Sequence, residues 1–252
     1  LLNNADLPDI PIELRRIPIV VHPKDCVPKD DIVENINANL NLIKSWDSVQ
    51  QYYPHSEAAI IVSGGSSIDF DKLKELQEET NGKIICVKHS YPKLLEAGIK
   101  PWGCVILDPR TIEGESTHGI VRKSLFETID PSTKFFVASM TEPSVTKYIL
   151  ERTSNVYGWH AYSEAIKNRI NNKADYPEEE QIQISDDVTF VTGGTCAAMR
   201  AIGMLHIFGF RNFHLFGFDC SVPEVSEEEQ KETLFDGKTC LLYTSPSPRD
   251  RT

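Results

Sequence analysis

The residues best suited to chemistry lie in two strand–glycine–helix units. In the first, the apolar run Ala58–Val62 leads into Ser63, Gly64, Gly65, Ser66 and Ser67, then into the amphipathic stretch Ile68–Leu76. In the second, Val188–Val191 leads through Thr192 into Gly193, Gly194 and Thr195. The helix-like run Cys196–Phe208 follows, then the strand-like Asn212–Phe216, ending in Gly217, Phe218 and Asp219. Small residues just past a strand leave backbone N–H groups open at the start of a helix, where the helix dipole also favours negative charge. Both loops are therefore candidate phosphate sites, with a simple tight turn as the alternative for Gly64-Gly65. Neither is a Walker A loop or a G-x-G-x-x-G dinucleotide fingerprint. The hydroxyls of Ser63, Ser66 and Ser67 add donors beside the backbone. Gly65 is the expected point of close phosphate approach, with freedom to adopt positive φ.

Three further groups stand at the ends of apolar strands. Asp108-Pro109-Arg110 follows Trp102–Leu107. An acid there can hold a divalent cation or a ribose hydroxyl, and an arginine beside it can grip phosphate through two parallel hydrogen bonds. The alternative for this pair is an acid capping the next segment with a surface arginine. His89 follows Lys83–Val87 beside Lys88, as a general acid/base, a phosphate donor or a structural histidine. Asp219 ends the last strand and can face the same ligand or cap a following segment. His118 lies in a polar loop and His160 closes the short strand Asn155–Trp159, whereas His206 and His214 read as structural. No spacing groups these histidines as metal ligands, so any metal site is unknown.

These residues need a scaffold. Ile32, Ile36, Leu40 and Ile43 recur at helical spacing and predict a helix from Lys29 to about Tyr52. Seven apolar strands follow: Ala58–Val62, Lys83–Val87, Trp102–Leu107, Lys134–Ala138, Asn155–Trp159, Val188–Val191 and Asn212–Phe216. Helices are expected near Asp69–Thr80, Tyr91–Ala97, Ile120–Ile129, Pro143–Arg152, Ala161–Asn171 and Thr195–Phe208, with Asn172–Asp187 a polar, acidic insertion. Continuous apolar strands alternating with helices predict an α/β, Rossmann-like, mainly parallel sheet with helices on both faces. Ligands bind such sheets at the carboxyl ends of the strands. Ser66, Asp108, Thr195 and Asp219 are accordingly expected to line one cleft, with Lys88 and Arg110 supplying positive charge.

Composition narrows the partners. The chain has 252 residues, 40% of them hydrophobic, and a net charge of −11. Such acidity argues against a nucleic-acid surface. No apolar run approaches the roughly 20 residues that span a bilayer. Six scattered cysteines form no C-x-x-C pair. Cys86 and Cys104 read as buried thiols, which suggests a reducing, cytoplasmic location.

The ends carry their own expectations. The first residue is Leu1 rather than Met, so the chain reads as a fragment. The stretch Cys240–Asp250 matches, codon by codon, a translated transposase adapter used in sequencing libraries. We expect an N-terminal extension with one helix over 1–57, a C-terminally truncated Rossmann-type domain over 58–239, and an unpacked artefact tail over 240–252.

The motifs resemble the MptE-like family, whose members include archaeal 6-hydroxymethylpterin diphosphokinases and Maf-type proteins of flagellin glycosylation. Bacterial sialyltransferases share related features. The family's strand and Gly-x-Gly-Pro-Ser stands here as Ser63-Gly64-Gly65-Ser66-Ser67. Its second motif stands as Leu94–Trp102, followed by Asp108, and its third as Phe208–Asp219. Ser63 replaces the first family glycine and Ser66 the proline. The small residues at Gly193–Ala198 are closer to the Maf and sialyltransferase branch than to the pterin enzymes. The resemblance implies a nucleotide-dependent transferase, glycosyltransferase-like, with a nucleotide-activated sugar as donor. Gly64, Gly65, Ser66 and Ser67 would then hold donor phosphate, Asp108 and Asp219 would contact ribose, base or metal, and Arg110 or His89 would stabilise the leaving phosphate. A diphosphokinase using ATP and Mg is the second expectation. A non-catalytic nucleotide or sugar-phosphate binder is the third.

Overall fold

Among the described residues the sheet has seven strands, all parallel, in the order β6-β5-β4-β3-β2-β1-β7. These are β1 (His55–Val62), β2 (Lys83–Val87), β3 (Gly103–Ile106), β4 (Lys134–Ala138), β5 (Val156–Ala161), β6 (Phe190–Val191) and β7 (Phe210–Phe216). The helices are α1 (Lys29–Leu42), α2 (Phe70–Thr80), α3 (Tyr91–Glu96), α4 (Pro143–Leu150), α5 (Glu164–Asn171) and α6 (Ala197–Ile207). This computed structural model describes residues 29–46, 49–113, 120–184, 188–194 and 196–219. The Pro-rich start, the loop around His118, Thr195 and the adapter-like tail lie outside them.

Strand alternation divides the core in two. Ile60, Val62, Ile84, Cys86, Cys104, Ile106, Phe135 and Val137 face α2, α3 and α4 through Leu73, Leu94, Val145 and Ile149. Ala59, Ile61, Ile85, Val105, Phe136 and Trp159 face α6 through Ala201, Met204 and Leu205. The chain winds from β1 outward to β6, then returns to add β7 on the other side of β1. A right-handed crossover that reverses direction must lie on the opposite face, and α6 does. The reversal makes the β1/β7 boundary the topological switch point, where ligands of such sheets bind.

Some elements depart from the expected bounds. Helix α1 stops at Leu42 because the chain then turns to cover the edge of β5. Ser45 O accepts a hydrogen bond from Gly158 N (2.7 Å), and the Trp46 ring lies flat on Gly158. The stretch Ile120–Ile129, expected as a helix, makes only a 3-10 turn at Lys123–Phe126. Val121 N donates to Thr111 O and Arg122 is extended, so the backbone is committed before a helix can start. The acidic insertion is not wholly polar outside: Ile182 and Ile184 are buried with Val33 and Ile36 of α1 and Ile166 and Ile170 of α5. The alternation Gln181-Ile182-Gln183-Ile184 already carried that signal.

A Cβ at position 158 would stand 2.4 Å from the Trp46 ring. Gly158→Ala should therefore cost about 1–3 kcal/mol of stability in urea denaturation. Adding Trp46→Ala should recover part of that cost, as a favourable coupling in the double-mutant cycle.

Candidate functional site

The carboxyl edge carries two neighbouring clusters. The first joins β1 to β7. Ser63 N donates to Phe216 O (2.8 Å), Gly65 N to Gly217 O (2.9 Å) and Ser67 N to Asp219 Oδ2 (2.7 Å). Alternate N–H groups of the serine–glycine loop are thus committed to β7 and its carboxylate, and they do not form a preassembled phosphate cradle. Helix α2 begins only at Phe70, and Asp69 caps it by accepting from Lys72 N (3.1 Å). Gly65 does not have positive φ, a correction to its expected role. It is glycine because a Cβ there would stand 2.0 Å from Asp219 Oδ1 and 2.5 Å from Gly217 O. The close approach is made by the protein's own chain.

The second cluster joins β2 to β3. Register pairs Val87 with Val105, so the residues that follow both strands emerge side by side. Asp108 is 3% exposed. Its carboxylate accepts from Arg110 Nε (2.9 Å) and Nη2 (2.8 Å) and pairs with Lys88 Nζ. The Lys88 and Arg110 side chains are 10% and 24% exposed. One buried carboxylate therefore holds two cations in place. The Ser90 hydroxyl donates to Val62 O (2.9 Å), which ties the Lys88–Ser90 turn to the end of β1. The two clusters meet where Gly64 faces His89, 3.7 Å from a Cβ built on the glycine to His89 Cβ.

His89 sits amid this charge. Loss of water around its ring lowers the pKa to about 4, and Lys88, Arg110, Lys93 and Arg122 push it the same way. The residue keeps substantial exposure, so solvent weakens both causes, and both act in the same downward direction. The imidazole is neutral at pH 7. Lys93 and Arg122 escaped the sequence reading, because nothing local marks an exposed cation as facing a histidine.

Other expected residues lie apart. Asp108 and Asp219 share the edge but are anchored in different clusters: Asp108 follows β3, and Asp219 follows β7 and reaches the loop after β1. Gly193 and Gly194 follow β6 at the far edge, five spacings or ~24 Å from β1. One phosphate cannot touch both glycine loops, which corrects the single cleft expected for them. Gly193 (φ 109°) and Gly194 (φ 29°) turn the chain onto α6, a conformation that L side chains disfavour. His160 closes β5, buried and stacked on Trp46 at 4.8 Å, with Nδ1 unpartnered among the described residues. Burial lowers its pKa to about 4. No described helix is long and apolar enough to cross a membrane.

Removing one member of a buried ion pair strands the others. Asp108→Ala should therefore destabilise the fold by about 3–5 kcal/mol in urea denaturation. A separate expectation concerns acid. Between the ordinary histidine pKa of about 6.5 and the folded value of about 4, the unfolded chain binds a proton at His160 that the folded chain does not. Stability should fall as pH falls through that window, and His160→Phe should flatten the fall.

The comparisons agree with this geometry at the level of fold. The solved structure of a Maf glycosyltransferase from Magnetospirillum magneticum AMB-1 is similar, with a TM-score of 0.51 and 17% identity. The likeness covers 81% of this chain and 30% of that one, so the present chain spans less than a third of its neighbour. No curated protein matches. The family described as 6-hydroxymethylpterin diphosphokinase MptE-like matches residues 30–225, and the chain belongs to that MptE-like family.

Proposed function

We propose that this chain is the nucleotide-binding part of a transferase, glycosyltransferase-like, that takes a nucleotide-activated sugar. The observation that carries the reading is the concentration of positive charge at the ends of β2 and β3 in a chain whose net charge is −11. Lys88, Arg110, Lys93 and Arg122 would face the donor phosphate, with Gly64 and Ser66 along its other side. As the bond between the sugar carbon and the phosphate oxygen breaks, negative charge grows on the leaving phosphate, and fixed cations stabilise it. Neutral His89 can accept the proton of the attacking acceptor hydroxyl. The likeness to a Maf glycosyltransferase supports a sugar donor.

A diphosphokinase using ATP and Mg is the reading that the family description favours. The described residues do not fit the metal well. Both oxygens of Asp108 are engaged by cations, and no group of three His, Cys, Asp or Glu side chains among the described residues could hold an ion.

Calorimetry with CMP, UDP, GDP and ATP, each with and without magnesium, separates the two. We expect binding that persists in EDTA and weakens about 10- to 100-fold in Arg110→Ala, the scale of a lost charged hydrogen bond. Strict magnesium dependence, or full affinity in Arg110→Ala, would reject the proposal. Binding without transfer of any donor by a longer chain would leave a binding protein.

A further inference from the structure

Two asparagines interrupt the buried face of α1. Asn35 is 7% exposed and Asn39 is fully buried, beside the apolar Val33, Ile36 and Ile43. Helix interiors bury asparagine at a cost unless its polar atoms are used. Here the two amide nitrogens meet the loop that follows β4, while Asn39 Oδ1 has no partner among the described residues. Asn39 Nδ2 donates to Ser139 O (2.8 Å) and to Thr141 O (2.5 Å), and Asn35 Nδ2 approaches Met140 O (3.4 Å). Three successive carbonyls at the carboxyl end of β4 thus receive donors from one helix.

That loop leads straight to the cationic cluster. Glu142 N, the residue after Thr141, donates to the backbone oxygen of Asp108 (3.0 Å). Two residues on, Ser144 Oγ accepts from Ile112 N (3.0 Å), which fixes the other end of the segment carrying Arg110. A path of hydrogen bonds and backbone therefore runs from α1 through 139–142 to the main chain of Asp108, whose side chain holds Lys88 and Arg110.

We infer that Asn39 is a positioning residue for the anion site: through the 139–142 loop it holds Asp108, and with it Lys88 and Arg110, in register against His89. The role assigned to the cations rests on the function proposed above. The hydrogen-bonded path to Asp108 does not. Asn39 touches no ligand. Its effect is to remove play from groups that must meet phosphate at hydrogen-bond distance, where a shift of ~1 Å can cost about 10²-fold.

The test compares Asn39→Leu and the milder Asn39→Ser with Ile43→Ala, which opens a cavity just past the same helix in a cluster that holds no residue of the loop. Two quantities are read in the full chain: the His89 titration by NMR and the affinity for inorganic pyrophosphate by calorimetry. Ile43→Ala should lower thermal stability and leave both quantities as in the parent. Either Asn39 variant should raise the His89 pKa from about 4 towards 6.5, as Lys88 and Arg110 move away, and weaken pyrophosphate by about tenfold or more. Should Asn39→Leu not fold, Asn39→Ser carries the comparison. A folded Asn39 variant with unchanged His89 titration would overturn the inference. A parent chain that ignores pyrophosphate would count against the proposed function instead, with the His89 titration still deciding the role of Asn39.

Discussion

The carboxyl edge depends on the buried carboxylate of Asp108. A lone charge at 3% exposure would be expensive to bury, and so would the Lys88 ammonium beside it. Each makes the other tolerable, and Arg110 completes the arrangement with a two-pronged grip. Such clusters contribute little net stability over an apolar core, because desolvation offsets the attraction. Their value lies in placing charge. Lys93 and Arg122 add their charge around His89, which stays neutral. An acidic protein can attract an anion only through such a local field, since its overall charge repels one.

The topology explains why this field sits where it does. Parallel strands deliver their carboxyl ends to one edge, and the β2–β3 register brings residues 88 and 108 together from 20 positions apart. Beside them the switch point at β1/β7 is closed by the chain itself, with Asp219 held on Ser67 N and against Gly65. The glycine loop there serves first to let β1 and β7 approach. The buried cations lie on the neighbouring pair of strands. On the far side, α1 and the 139–142 loop back the same aspartate.

Much of the fold was legible because its signals are local. Seven apolar runs became seven strands, and Pro143, Asn81-Gly82 and Gly98 marked helix ends that the structure keeps. The family motifs were legible for the same reason. What stayed hidden was non-local. Trp46 ends α1 early by packing on Gly158, more than a hundred residues away. The separation of the two glycine loops follows from strand order, which no single segment encodes. The expected metal or ribose role of Asp108 rested on its place after a strand, but its neighbours were set by pairing with β2. Asn35 and Asn39 did leave a trace: two amides four residues apart among isoleucines at helical spacing, a pattern that solvent alone does not explain.

In the proposed function an anionic ligand is held by the Lys88–Asp108–Arg110 cluster and the cations around His89. A crystal structure of this chain grown with a nucleoside diphosphate tests it most directly. Phosphate oxygens should lie within about 3 Å of Arg110 and of Lys93 or Arg122, over the exposed side of His89. Phosphate bound instead beyond Gly193 and Gly194, at the far edge of the sheet, would contradict it.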